Sequence, residues 1–535
     1  MRSARQNGLA LSAITEVDVI VVGAGAAGLA AASEAARLGR RVVVLEKNAH
    51  EGGMTSWSVG TVTATNTPQQ LRAGIQDTPE EHFEDLALHA GKLAPRDNLA
   101  LRRILVDNSN EMFEWLNELG IMFIGPIPDP PNRYPRLHSV VPSAEAFAYR
   151  LKRHCRKLGV DIRLNTKVQR LLQDDGRVIG VETQGADGSP MQYRARGAVV
   201  LASGDYSAAP DIKARYASEV LASADPVTPT STGDGYRMAF DVGATMLNGD
   251  IIRGPIMRFV PAPRGNFIQR LPPVRPLTLA IVWAMDHLPQ WVLRPFLMTF
   301  VTSVLGPSRD VFKHGAILVN RRGQRFTDEL AAPERDLVAQ PDRSAHIVFD
   351  GAVAQQFSAW PHFISTAPGL SRKFLSWSDR APGNPGIGYA YLPDYRRTRP
   401  DIYHQASSIE ALASSIGVAA PALLQCIQDY NENGHGDRPP IVSPPFFALG
   451  PVKSYVPFTE GGLRITERLE VVRENGAQIH GLYAAGAVGQ GGLLLEGNGH
   501  HLAWAFISGR IAGRNAAFDV PRGKPLTAEM GGVAL

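Results

Sequence analysis

The stretch VDVIVVGAGAAGLAAASEAARLGRRVVVLEK, Val17 to Lys47, limits the possible folds more than any other part of the chain. Val17–Val22 is a short, mostly β-branched run, which reads as a buried parallel strand. Gly23, Gly25 and Gly28 follow in the spacing GxGxxG. Leu29–Leu38 is Ala-rich and helical in character, and Gly39 ends it. Val42–Leu45 reads as a second strand, closed by Glu46. Each part has a physical task. Gly23 permits a tight turn, Gly25 lets a pyrophosphate approach the backbone, and Gly28 lets the helix pack closely on the strand. The helix N-terminus offers N–H groups and a positive dipole end to phosphates. Glu46 accepts hydrogen bonds from ribose hydroxyls. Strand, glycines, helix, second strand and acid together predict a dinucleotide site, with Ala26 and Ala27 at the helix start and Lys47 beside the acid.

The continuation, NAHEGGMTSWSVGTVTATNTPQQ, decides between nucleotides. Gly52 and Gly53 follow the acid closely, and a Ser/Thr/Gly-rich stretch comes next. A simple NAD site goes straight to another helix. This backbone suits a flavin's ribityl chain and ring, so the expected cofactor is FAD.

The rest of the composition removes alternatives. With 535 residues the chain has room for two or three domains. The formal net charge of +4 is spread along the chain, which leaves no footprint for nucleic acid. Cys155 and Cys426 are the two cysteines, far apart and outside any CxxC pattern. That excludes a disulfide framework, an iron–sulfur cluster and a c-type haem held by this chain, and no metal site is expected. A reducing, cytoplasmic location fits. Residues 1–15 carry Arg2 and Arg5 without an apolar core and read as a short disordered leader.

From the flavin loop onward the sequence resembles the fumarate reductase/succinate dehydrogenase flavoprotein family, nearest to its ketosteroid dehydrogenase-like branch. The matching stretches run in order along nearly the whole chain: GGMTSWSVGTVTATNTPQQ, EMFEWLNELGIMF (Glu111–Phe123, an amphipathic helix), AVVLASGDYS (Ala198–Ser207), STGDGYRMAFDVGA (Ser231–Ala244), the hairpin GAILVNRRGQRFTDE (Gly315–Glu329) and the C-terminal GLYAAGAVGQGGLLLEGNGHHLAWAFISGRIAG (Gly481–Gly513). The resemblance implies an α/β architecture: a Rossmann-like, glutathione reductase-type FAD domain over residues 16–254 and 458–518, with an inserted α+β capping domain over 255–457. It implies further flavin contacts at Met54, Thr55, Ser56, Val168, Ala202, Ser203, Gly204, Asp234, Gly486, Ala487, Gly497 and Asn498. It implies hydride exchange between the flavin N5 and a carbon next to an activating group. Members that tether the flavin use a histidine in the first flavin loop. Here no histidine lies between Glu51 and Gln70, so the FAD is expected to be non-covalent.

The sequence departs from the fumarate-binding pattern. Gly254 stands before Pro255, and Phe458 before Thr459, where the resemblance places histidines. LLLEGNG stands where it places NRLGG, without the arginine. Two carboxylates entering a low-dielectric pocket need charged partners. The expected pocket offers Leu493, Leu494, Leu495 and Phe458 instead, which predicts a hydrophobic, steroid-like or terpenoid-like substrate with a carbonyl. Two alternatives are kept: a reductase of a small carboxylated enoate, and a non-catalytic flavoprotein subunit. Arg335, in APERD, matches the family's proton-donating arginine after a two-residue insertion. Tyr455 and His500 are the other candidates for moving the proton, ahead of Tyr134, His501 and Glu496. Adjacent helical residues do not share a face, so at most one of His500 and His501 is expected to meet the flavin.

Residues 270–306 form an apolar block, RLPPVRPLTLAIVWAMDHLPQWVLRPFLMTFVTSVLG. It is too short and too interrupted to span a bilayer, and Pro289 and Pro295 are expected to break it into short helices. Its tryptophans and flanking arginines make an interfacial pattern. The expectation is peripheral contact with the inner face of a membrane, giving access to a lipid-phase substrate or to a quinone as electron partner.

Overall fold

A computed structural model describes residues 14–185, 188–263, 271–366, 388–434 and 436–521. β1 (Ile14–Val22) is buried from Val17 onward and leads through the glycine turn into α1 (Ala26–Arg37) and β2 (Val42–Leu45). The strand therefore includes the last two residues of the expected leader, and residues 1–13 lie outside the described residues. The turn can be made only by glycine. Gly23 has φ +105°, and a Cβ there would press on the backbone of Ala202. A Cβ on Gly28 would overlap the carbonyl oxygen of Gly23, so α1 sits as close to the strand end as the backbone allows.

α2 (Pro79–Ala90) and α3 (Glu145–Lys157) precede β3 (Asp161–Arg163). The expected helix Glu111–Phe123 is shorter than its pattern: helix Ser109–Glu118 ends before the strand Met122–Ile127. Gly120, with φ +81°, lies between them. β4 (Pro190–Leu201) returns to the centre, and α4 (Asp234–Asp241) starts after Gly233.

Next comes a second layer. Its central strand, Phe446–Val456, pairs antiparallel with Ile256–Phe259, Ser344–Phe349 and Tyr403–Ala406, and Ile317–Asn320 extends the sheet. α5 (Arg275–His287) and α6 (Gln290–Val304) are the apolar block, and α7 (Pro333–Val338) lies beside the central strand. Pro289 separates the two helices, but Pro295 does not break α6. The reason lies in its position. A proline there removes the bond to the carbonyl of Trp291, which is 77% exposed, so water can take the bond's place. The expected Gly315–Glu329 hairpin closes through the bridge between Val319 and Arg325.

The chain returns through β5 (Gln478–Ala484) and ends in α8 (His500–Phe518). The first sheet has eight strands; its middle runs β5–β4–β1–β2–β3 in parallel, and Glu470–Val472 and the pair Val168–Asp174 and Arg177–Gln184 add to it antiparallel. Connections from β1 go one way through β2 to β3, while β4 and β5 lie on the other side. The strand order thus reverses between β1 and β4, where open α/β sheets bind ligands at their carboxyl ends. α1 and α8 cross in close contact, since Cβ atoms on Gly509 and Gly513 would overlap the backbone of Ala27 and Ala31. The apolar core of this half draws on both ends of the chain. Two short antiparallel pairs, Ile252–Arg253 with Phe458–Thr459 and Met246–Leu247 with Gly462–Leu463, join the chain as it leaves for the second layer and comes back.

Candidate active site

An elongated cavity opens at the carboxyl ends of β1 and β4 and continues to the start of α8. At one end Glu46 is buried at the tip of β2. Its carboxylate accepts from the backbone N–H of Ala24 (2.8 Å) and of Asn48 (2.9 Å), which fixes it beside the glycine turn. Lys47 reaches across to Asp234 at 2.7 Å, and Lys167 approaches the same carboxylate at 3.5 Å. Burial raises the Asp234 pKa, but bonds from Lys47 and Thr232 outweigh it and hold the carboxyl below its ordinary value.

Most of the expected cofactor residues line this cavity: Gly23, Gly25, Ala26, Ala27, Glu46, Lys47, Gly53, Met54, Thr55, Val168, Ala202, Ser203, Gly204, Asp234, Gly486, Ala487, Gly497 and Asn498. Three do not. Gly28 is consumed by packing on Gly23, Gly52 sits against Ser56 and Ala148, and Ser56 turns outward to Glu145. Other lining residues carry no signal in the sequence, among them Val59, Thr228, Ser231, Arg258, Pro457 and Leu502, whereas His501, a lesser candidate, does line the cavity. Arg258 comes from strand Ile256–Phe259 of the second layer. No motif marks it, because only the sheet register brings that strand over the cavity.

Several expectations at the reacting end differ from the arrangement found. The triple leucine does not form the pocket. Leu493 and Leu495 are buried in the main core, and Leu494 packs with Ala90 and Ile251. Arg335 lies exposed on α7 and is not among the residues that line the cavity. His500 is fully buried behind Gly497, with Nε2 3.2 Å from His82 Nε2 and its ring 5.4 Å from that of His89. Burial, with His89 and His501 nearby, lowers the His500 pKa to about 3, so the ring is neutral. Tyr455 shares a sheet face with the cavity-lining Arg258 but does not itself line the cavity. Burial raises its pKa. Tyr134 donates to Glu81 at 3.2 Å, also outside the cavity lining.

The residue that reaches the cavity is His501. Its ring packs on Phe458 at 4.4 Å, and its buried Nε2 lies 3.6 Å from Glu460 Oε1. Glu460 is fully buried. It accepts from Arg253 Nε at 3.0 Å and from the backbone N–H of Leu495 at 3.2 Å. Burial alone would raise its pKa; the facing charges of His501 and Arg253 outweigh burial and bring it down to about 2. Arg253 also donates to Glu496 at 2.7 Å. Asp129 accepts from both the backbone and the side chain of Asn498. Glu460, Glu496 and Asp129 thus lie behind this end and are not among its lining residues, with Arg253 bridging the first two.

The donor set fits a flavin dinucleotide. The start of α1, Gly25–Ala27, lines the cavity; Thr55 Oγ1 accepts from the Ala26 N–H there, and Gly25 itself supplies no side-chain cap. A Cβ on Gly25 would find nothing closer than 3.7 Å and would occupy that space. Ser203 Oγ, beside the cavity, is buried without a hydrogen-bond partner. α8 begins at the far end with Gly499 and His501 in the lining.

Comparison with known proteins agrees. A family model described as an FAD binding domain matches residues 18–255 and 292–498. A probable fumarate reductase of Shewanella frigidimarina is 26% identical over 536 residues, covering 96% of this chain and 76% of that protein. Among solved structures, the open conformation of a flavocytochrome c3 fumarate reductase superposes with a TM-score of 0.69 at 24% identity, covering 95% of this chain and 79% of the other. A 3-ketosteroid-Δ4-(5α)-dehydrogenase from Rhodococcus jostii RHA1 gives 0.56 at 24% identity, covering 96% and 99%. FAD is the cofactor that this fold and these relatives share. With its cavity at the sheet's switch point and its match over both halves of the chain, the protein belongs to the FAD-binding flavoprotein family of the fumarate reductases and is an FAD-dependent oxidoreductase acting on C=C bonds.

Proposed function

We propose that this flavoenzyme exchanges hydride with the C=C or CH–CH bond of an uncharged substrate activated by a neighbouring carbonyl. Bound FAD supplies the hydride acceptor or donor. The chain supplies position and a proton. The observation that carries the reading is the pairing at the reacting end, where Arg258 is the one arginine among the described lining residues and Arg253, behind the lining, is already held by Glu460 and Glu496. A dicarboxylate brought there needs a charged partner for each carboxylate in a desolvated site, and Arg253 is already paired twice. Arg258, reaching the cavity from the second layer, has donors for one carbonyl oxygen. The backbone N–H groups of Gly497 and Gly499 are further donors at the same end. His501 stands where a proton is needed, its buried Nε2 edge facing Glu460 and the rest of the ring toward the cavity. Glu460 orients the ring. His501 thus takes the part expected of Arg335, Tyr455 or His500.

Apolar residues at the mouth, Met54, Trp57, Val59 and Phe458, suit an extended hydrophobic framework such as a steroid or terpenoid ketone. The fumarate reductase relative favours a second reading, reduction of a small carboxylated enoate. Anaerobic mixing of the oxidised holoprotein with steroids, terpenoid ketones and succinate separates them. The first reading expects the flavin absorbance to bleach with a ketone. Bleaching with succinate alone would establish the second.

A further inference from the structure

The apolar hairpin α5–α6 has no role in the cavity; α6 buries Met298, Val301 and Thr302 in the second layer, but much of the rest of the pair is exposed among the described residues. Among the described side chains of α5 only Thr278 is buried, although Leu277–Met285 is apolar apart from that threonine. Trp283 is 56% exposed, Trp291 77% and Phe296 57%. A soluble monomer rarely leaves aromatic rings in one such patch. Neither helix is long enough to cross a bilayer, and no helix among the described residues is.

What lies beside the patch indicates what covers it. Arg150 of α3 donates to the carbonyl of Pro273, just before α5, at 2.8 Å. Arg153 and Lys157 follow Arg150 at helical spacings of three and seven, so the three share a face. Both are exposed, and neither has a carboxylate within 4.0 Å among the described residues. The other side of α3 touches the flavin loop: Ala148 packs against Gly52, and Glu145 accepts from Ser56. Trp57 and Val59, exposed at the cavity mouth, belong to that loop. The order across the surface is therefore apolar hairpin, basic helix, cavity mouth.

We propose that this face docks on the surface of an anionic phospholipid bilayer. Trp283, Trp291 and Phe296 enter the boundary between headgroups and acyl chains, while Arg153 and Lys157 meet lipid phosphates. The cavity mouth then opens toward the membrane, and an apolar substrate or electron carrier partitioned there reaches it without crossing water. The docking itself does not rest on the proposed substrate, because binding is read without turnover.

The test is flotation of the FAD-loaded protein with liposomes of phosphatidylcholine alone or with added phosphatidylglycerol, at low and high salt. The protein is expected to float with the anionic liposomes and to be released by salt. W283S/W291S, at sites too exposed to disturb the core, should lose most of the bound fraction while keeping FAD. R153E/K157E should weaken binding about tenfold or more. Two results would overturn the proposal. One is wild-type protein that never floats. The other is a dimer in light scattering that W283S/W291S dissolves, which would assign the face to a second copy of the chain.

Discussion

At the scale of single residues, chemistry at the reacting end turns on neighbours only one position apart. Gly499, with φ +86°, starts α8 in a left-handed conformation and sends His500 inward and His501 to the cavity. His501→Gln is expected to lower the rate of substrate-dependent flavin turnover by about 10²–10⁴-fold. FAD content should stay unchanged, as checked by the absorbance ratio of the purified protein. His500→Gln tests the contrast, since its effect should fall on folding stability. Glu460 makes a second prediction. Its folded pKa, about 2, lies below the 4.5 of an ordinary glutamate. The unfolded chain therefore takes up this proton first as pH falls, and the stabilisation is present above about 4.5 and lost between there and 2. The shift corresponds to of order 3 kcal/mol. Denaturant melts across that window should show a shallower acid loss for Glu460→Gln than for wild type. The neutral, buried His500 and His82 act at higher pH. Their pKa values are held below 6.5, so stability falls as pH drops through that value and the unfolded chain gains protons. Little of this was legible in sequence. Both histidines suited the pattern, and only the tertiary turn chooses between them. Arg335 was placed by resemblance, but its helix leaves it in solvent.

Among elements, the glycine turn was legible because its constraints are local. Gly23, Gly25 and Gly28 act within one strand–helix unit, so spacing alone determines their tasks. Their structural roles nevertheless differ, which gives a contrast to test. Gly25→Val points into the cavity and should abolish FAD binding, read by loss of flavin absorbance, while circular dichroism stays native. Gly28→Val overlaps the Gly23 carbonyl and should destabilise the fold by about 1–3 kcal/mol or more. The triple leucine was misread for the opposite reason. Leu493–Leu495 lie beside functional glycines in sequence, yet each faces away into packed side chains. A loop has no periodicity from which a face can be inferred. Arg258 was missed likewise, since its strand reaches the cavity through pairing with Phe446–Val456, nearly two hundred residues later.

At the scale of the whole molecule, two chain ends build one FAD-binding half, and the inserted layer supplies Arg258 from above. The crossing is secured where charge and backbone meet. Asp225 pairs with Arg343 at 2.8 Å and with Lys453 at 3.0 Å, and the buried Asp205 accepts from the N–H of Thr459. These ties hold Phe458, Glu460 and Arg253 against the start of α8, so the pairing of Arg253 by carboxylates is a property of the assembled fold. The central claim is that this end rejects dicarboxylates and accepts an uncharged, carbonyl-activated alkene. The most direct measurement is anaerobic stopped-flow mixing of the photoreduced holoprotein with a cyclic enone or with fumarate, following return of the oxidised flavin spectrum. The enone should reoxidise the flavin far faster than fumarate does. Reoxidation by fumarate at an equal or greater rate would contradict the account.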